Sequence, residues 1–192
     1  MYVKSELRKH FREMRKTISD KQDKDFLICQ NVIQSDLFKN SNQILCYYPL
    51  KDEINTLLII ENALKRGKKT ALPFCVDENG NMDFYYINSF DDLKSGSFDI
   101  MEPDIDKCEK VVDFNSSLCI VPAFSFDKKG FRLGYGKGYY DKFLKKFTFN
   151  SIGLCYNNFL GDSLPVDKHD VAVMYIATED KIKLCKEDKL YV

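Results

Sequence analysis

The sequence predicts an α/β fold: an open, mixed, mainly parallel sheet of about six strands with helices on both faces. Three observations predict it. Strand-like runs and helical periodicities alternate in the first half of the chain, and the order strand, helix, strand calls for parallel pairing through right-handed crossovers. The strand-like runs read as buried. The chain's 192 residues are enough to bury a real core and suit a single domain spanning 1–192.

Taken in order, Leu7, Phe11, Met14 and Ile18 recur at helical spacing and give a first helix ending near "TISD". Ser19 followed by Gln22 has the form of a capping box for a second helix, whose apolar face would hold Phe26, Cys29, Ile33 and Leu37. "QILCYYP" is a short buried strand stopped by Pro49, and "NTLLIIENALKRG" is a helix capped by Asn55 or Thr56 and stopped by Gly67. "KTALPF" and, after the turn "DENGN", "MDFYYI" are further strands. Asp91 to Phe114 is polar, acidic and turn-rich, and is expected to form a long ordered loop lying over the domain. "SLCIVPAF", "SIGLCY" and "VMYIATE" complete the sheet.

The 29 basic and 29 acidic side chains cancel, so nothing in the global charge favours nucleic acid or an anionic membrane. Any anion site must be local. The seven cysteines form no Cys-x-x-Cys pair and several lie in apolar runs, as expected of reduced core residues in a cytoplasmic protein. "MYVKSELRKH" lacks the apolar centre of a signal peptide, and no apolar run approaches membrane-spanning length. With no coiled-coil pattern, a monomer is expected.

The segment "FDKKGFRLGYGKGYYDKFL", Phe126–Leu144, puts four glycines and several cations between a buried strand and a helix start. Ligands of open α/β sheets bind where strand ends run into helix starts. Gly130, Gly134, Gly136 and Gly138 would allow backbone N–H groups to turn toward one point, as in a phosphate cradle. Arg132 and Lys137 add charge there, and the helix opening at Tyr139 adds its dipole. Asp141 would repel phosphate unless a cation lay between them, which points to Mg²⁺. The pattern is neither a Walker loop nor a dinucleotide fingerprint. A flexible glycine loop with solvated lysines remains the competing explanation.

The same segment resembles the signature of the 5-formyltetrahydrofolate cyclo-ligase family, also called 5,10-methenyltetrahydrofolate synthetases. "KSELRKHFREMRKTIS", "YYPLKDEINT", "KKTALPF", "MDFYYI", "GSFDIMEP" and "IGLCYNNFLGDSLPVDKHD" are similar to other parts of that family, in order, over nearly the whole chain. The resemblance implies a Mg²⁺- and ATP-dependent ligase that forms 5,10-methenyltetrahydrofolate from 5-formyltetrahydrofolate, releasing ADP and phosphate. It implies ATP contacts from Lys4, Arg8, Arg132, Leu133, Gly134, Tyr135, Gly136, Lys137, Gly138, Tyr139 and Tyr140, with Arg132 and Lys137 catalytic. Folate contacts would come from Tyr48 and Glu53, and from the stretch Tyr135, Gly136, Lys137, Gly138 and Tyr139. Asp141 and Asp170 would hold Mg²⁺. His10 and His169 are expected to be structural or exposed. Phe159 and Met174 stand where the family often has Gln and Asp, which bears on folate affinity and on the surroundings of Asp170. Two other classes are compatible with the residues: a relative that binds a folate or nucleotide without turnover, and an enzyme of sugar-phosphate or acyl-transfer type on a similar scaffold.

Overall fold

The computed structural model describes residues 3–96 and 100–185. Its main sheet has seven strands: β1 (Gln43–Leu45), β2 (Lys69–Cys75), β3 (Met82–Ile87), β6 (Ser117–Val121), β9 (Asn150–Leu154), β11 (Tyr175–Ala177) and β12 (Ile182–Leu184), ordered β12-β11-β9-β6-β1-β2-β3. The five strands from β11 to β2 are mutually parallel, while β3 and β12 pair antiparallel at the edges. All five residues of β6 are buried, so both faces of the sheet are covered there, as a parallel sheet requires. The expected strands are present, and the edge strand β12 adds one that its short, polar sequence did not announce.

Helix α1 (Lys4–Lys16) lays Leu7 and Phe11 on a small cluster of Phe124, Leu133 and Leu164, and Phe11 and Met14 on the main core. Helix α2 (Lys21–Gln34) departs from expectation at its start and on its face. Its N-cap is Asp20, with φ at 54° and no side-chain cap bond, so the Ser19/Gln22 box does not form. Its buried residues are Asp25, Ile28, Cys29, Val32 and Ile33, while Phe26 is exposed and Leu37 belongs to the short helix α3 (Asp36–Asn40). The physical reason is polar: Asp25 turns inward to accept from Lys21 Nζ at 2.6 Å, the Asn55 amide at 3.1 Å and Tyr156 Oη at 2.6 Å. A buried carboxylate must be paired in this way, and satisfying it rotates the apolar stripe.

Helix α4 (Leu57–Lys65) starts at Thr56 and ends before Gly67, whose φ of 68° suits the left-handed turn after a helix. The Asp91–Phe114 segment is not a plain loop. It contains the antiparallel pair β4 (Leu93–Ser95) and β5 (Met101–Pro103); positions 97–99, including part of "GSFDIMEP", lie outside the described residues. After β6 come β7 (Ser125–Asp127), β8 (Arg132–Leu133) and helix α5 (Tyr139–Lys146); β7 and β8 form a second small sheet with β10 (Leu160–Gly161), which follows β9. Phe143 of α5 packs on Phe84 of β3, ring centroids 4.7 Å apart, which anchors the glycine segment's downstream end to the sheet.

Candidate functional site

The chain leaves β1 toward β2 on one side and reaches β6 on the other. The order reverses at β1, and an open α/β sheet has its crevice at the carboxyl ends of the strands flanking such a point. A cleft of about 1500 Å³ lies there, lined by Tyr47 and Tyr48 after β1, Pro73 and Cys75 of β2 and Pro122 after β6. A smaller cavity, about 510 Å³, lies by the strands' amino ends among residues such as Ser116 and Asn150, with Asp36 its one charged lining group.

One side of the cleft carries cations and a glycine turn. Lys4, Arg8, Gly134, Gly136, Lys137 and Gly138 all line it. Gly136 and Gly138 have φ of 101° and 71°, a backbone that other residues adopt only with strain. Arg8 Nε donates to the Gly134 carbonyl at 2.8 Å, so α1 holds the glycine turn in place. Gly138 caps α5, directing that helix's N-terminus into the cleft.

Behind this turn, Arg132 is buried and pairs with Asp141, Nη2 to Oδ1 at 2.7 Å. Its Nη1 donates to the Val171 carbonyl at 2.8 Å, and the Val171 amide donates to Asp141 Oδ1 at 3.0 Å. Burial lowers the pKa of Arg132, with Asp141 the strongest opposing influence. Lys4 Nζ bridges Asp170 at 2.5 Å and Asp167 at 2.7 Å. Burial opposes its charge, but the hydrogen bonds to Asp167 and Asp170 outweigh that and raise its pKa. Among the described residues no group of three or more His, Cys, Asp or Glu side chains gathers to hold a metal. Asp141 and Asp170 both line the cleft, and two carboxylates are a donor set Mg²⁺ accepts when phosphate oxygens and water complete its shell.

The other side is a buried acid in a partly apolar wall. Glu53 is 5 % exposed and its Oε2 accepts the Leu50 amide at 2.9 Å. Its loop is fixed from several elements: Lys21 Nζ donates to the Glu53 carbonyl at 2.7 Å, Tyr47 Oη to the Ile54 carbonyl at 3.0 Å, and Thr56 Oγ1 to the Tyr47 carbonyl at 2.7 Å. Burial raises the Glu53 pKa above the usual glutamate value, opposed by the Leu50 amide, the Tyr135 hydroxyl and the charges of Arg15 and Lys21. Tyr48, Leu50, Met82, Ile100 and Met101 supply surrounding wall.

Of the residues singled out in the sequence, Lys4, Arg8, Tyr48, Glu53, Arg132, Asp170 and every position from Gly134 to Asp141 line this one cleft. Two do not. Leu133 packs into the Phe124 and Leu164 cluster, because β8 turns its side chain away. Gly130 closes the β7–β8 turn through its amide to the Asp127 carbonyl at 2.9 Å and is no part of the cradle. Phe159 is a core residue against Phe11 and Tyr156, and Met174 is a surface residue; neither lines the cleft. His169 is exposed at the cleft, and His10 stacks edge-on with Phe11. Sequence reasoning missed Glu102, Lys142, Lys145 and Asp167 in the lining and the buried Arg15 beneath it. The only advance signal for Arg15 was its place eleven residues after Lys4 and seven after Arg8, on the same side of a helix.

The model of the 5-formyltetrahydrofolate cyclo-ligase family matches residues 1–179. The chain is 29% identical over 189 residues to the mouse 5-formyltetrahydrofolate cyclo-ligase, covering 93% of this chain and 92% of that one. It is 31% identical to a probable 5-formyltetrahydrofolate cyclo-ligase of Caenorhabditis elegans, covering 88% and 89%. The NMR structure of Aquifex aeolicus 5,10-methenyltetrahydrofolate synthetase is similar with a TM-score of 0.84 at 30% identity, covering 100% of this chain and 97% of that one.

Proposed function

The chain belongs to the 5-formyltetrahydrofolate cyclo-ligase family, and from that membership we propose that it converts 5-formyltetrahydrofolate to 5,10-methenyltetrahydrofolate with consumption of ATP. The observation that carries this is the pairing, in one cleft of about 1500 Å³, of a glycine and cation surface with a buried carboxylate. A site for one small ligand spans about 300–1000 Å³, so the cleft has room for a nucleotide and a folate together.

The formyl oxygen on N5 is a poor leaving group. Transfer of the γ-phosphoryl of ATP to that oxygen gives an iminium phosphate. N10 then attacks the activated carbon and loses its proton, and the oxygen leaves as phosphate. Phosphoryl transfer needs mainly positioning and charge stabilisation. In this proposal Arg132 and Lys137 stabilise the transferring group, and Lys4, Arg8 and the segment from Arg132 through Tyr140 hold ATP. Leu133 belongs to that segment through its backbone alone, since its side chain is buried elsewhere. Tyr48, Glu53 and Tyr135 to Tyr139 receive the folate, with Glu53 accepting hydrogen bonds from the donor edge of its ring. Asp141 and Asp170 would hold Mg²⁺, which when bound neutralises charge on the phosphate oxygens. Arg132 and Lys4 then have a second task, holding those carboxylates in place.

The protein would act as one domain and as a monomer. Its seven cysteines are free and mostly buried, which fits a reducing cytoplasm, and among the described residues no helix is long and apolar enough to cross a membrane. The test is the near-ultraviolet absorbance of the methenyl product with 5-formyltetrahydrofolate, ATP and Mg²⁺, each omitted in turn. Growth of the band only with all three supports the proposal. A flat trace with ligand binding intact would favour a protein that binds without turnover.

A further inference from the structure

Helix α1 reaches the cleft at three points along one side. Lys4 meets Asp170, Arg8 meets the Gly134 carbonyl, and Arg15, three turns beyond Lys4, lies beneath Tyr135. The first two belong to the side of the glycine turn. Arg15 is different: it is 6 % exposed, while Lys9 and Lys16 of the same helix face solvent. A buried guanidinium persists only if its surroundings engage it.

Arg15 Nη1 donates to Tyr135 Oη at 3.1 Å, and Nη2 donates to the Ala123 carbonyl. The guanidinium carbon lies 4.9 Å from the centre of the Phe124 ring, and that ring lies 4.5 Å from the Tyr135 ring. Tyr135 is therefore gripped at its hydroxyl by Arg15 and along its ring by Phe124, which Arg15 also covers. Tyr135 remains 42 % exposed as a residue and lines the cleft. The hydroxyl turns inward toward the Glu53 carboxylate, close enough that each influences the other's titration. Since that hydroxyl accepts from Arg15, its proton is free for Glu53.

We propose that Arg15 is a positioning residue for folate recognition: through Tyr135 it holds the Glu53 carboxylate and the cleft-facing ring in the geometry that receives the substrate's donor edge. The inference rests on the proposal that Glu53 contacts the folate. Its consequence differs from that of the other α1 cations: loss of Lys4 or Arg8 should weaken ATP, whereas loss of Arg15 should weaken folate. Arg15 also acts on the charge of Glu53. The groups facing that carboxylate are Arg15 from α1, Lys21 from α2, Tyr47 after β1, and Tyr135 and Tyr140 of the glycine segment and α5. Arg15 and Lys21 are the cations among them. Removing Arg15 takes away one of the two cations that favour the ionised form, so the pH below which folate binding fails should rise.

The test is equilibrium titration with 5-formyltetrahydrofolate across pH 5–8, with KM for folate and ATP measured separately, on Arg15→Gln, Arg15→Lys, Tyr135→Phe, the Arg15→Gln/Tyr135→Phe double variant and Glu53→Gln. Tyr135→Phe keeps the ring packing and removes the relay, so it carries the test even if Arg15→Gln folds poorly. Arg15→Gln and Tyr135→Phe should each weaken folate binding about tenfold, the loss of one charge-assisted link. The double variant should be little worse than either, because both break one chain of contacts. In Arg15→Gln the KM for ATP should rise less than the KM for folate and the acid limb of folate binding should move to higher pH; Arg15→Lys should keep the limb in place. If Glu53→Gln binds folate weakly while Tyr135→Phe and Arg15→Gln bind it normally, Arg15 has no such role and Glu53 keeps its own. If Glu53→Gln binds folate as the parent does, the proposed contact of Glu53 falls and the role of Arg15 falls with it.

Discussion

Replacing Asp141 by Ala should damage stability and turnover by separable routes. Its Oδ1 forms an ion pair with Arg132 Nη2 at 2.7 Å and accepts from the Val171 amide at 3.0 Å, tying α5 to β8 and to the segment after Asp170. The Arg132 side chain is 4 % exposed and that of Asp141 23 %. Removing one partner of a buried ion pair costs about 3–5 kcal/mol, and the residual exposure of Asp141 puts the cost near the lower end, about 3 kcal/mol. In a domain of this size each kcal/mol lowers Tm by about 2–4 °C, so a fall of about 6–12 °C is expected. Asp141→Asn keeps an acceptor for the Val171 amide and loses the charge that pairs with Arg132, and should cost about 1–2 kcal/mol. Calorimetry gives Tm, and methenyl absorbance gives turnover at rising Mg²⁺. An alanine variant melting within about 2 °C of the parent would refute the stabilising role of the ion pair. An asparagine variant with parental turnover and Mg²⁺ dependence would refute Asp141 as a metal ligand.

Three further outcomes are expected. A Cβ added at Gly134 meets nothing within 4 Å, and its φ is not in the left-handed region, so Gly134→Ala should leave Tm nearly unchanged. If phosphate approaches the backbone there, the methyl group should raise the KM for ATP about tenfold; an unchanged KM removes Gly134 from the cradle. Glu53→Gln should raise Tm near pH 7.5. Burial raises the folded pKa above the reference 4.5, so between those two values the native state binds more protons than the unfolded one and stability falls as pH rises; the gain should vanish near pH 4, and a lower Tm at pH 7.5 would contradict the sign. Lys4→Ala leaves Asp167 and Asp170 without their cation and should weaken ATP several-fold, more at low salt than at high; a loss independent of salt would show that Lys4 acts by packing.

Much of the fold was legible from local pattern. The periodicity of α1, the Thr56 start and Gly67 stop of α4, and the apolar runs of β2, β3, β6 and β9 each depend on neighbours in sequence, and each element lies where expected. Where long-range partners decide, local pattern failed. The stripe of α2 is set by Asp25, whose partners Asn55 and Tyr156 are 30 and 131 residues away, and β12 is a strand only because β11 offers it an edge.

The site divides in the same way. By itself the sequence determined the chemistry on offer: glycines and cations before a helix start, an acid after the first strand, and an order of motifs shared with one family, because residue type and spacing along one segment suffice for these. Only the tertiary structure decided which of them meet. Crossing from β1 to β6 brings Glu53 and the glycine turn, about eighty residues apart in sequence, to one cleft, while Gly130, Leu133, Phe159 and Met174 lie outside its lining. It also placed Arg15 beneath Tyr135. No local pattern encodes that contact, since it depends on the docking of α1 across a chain separation of 120 residues.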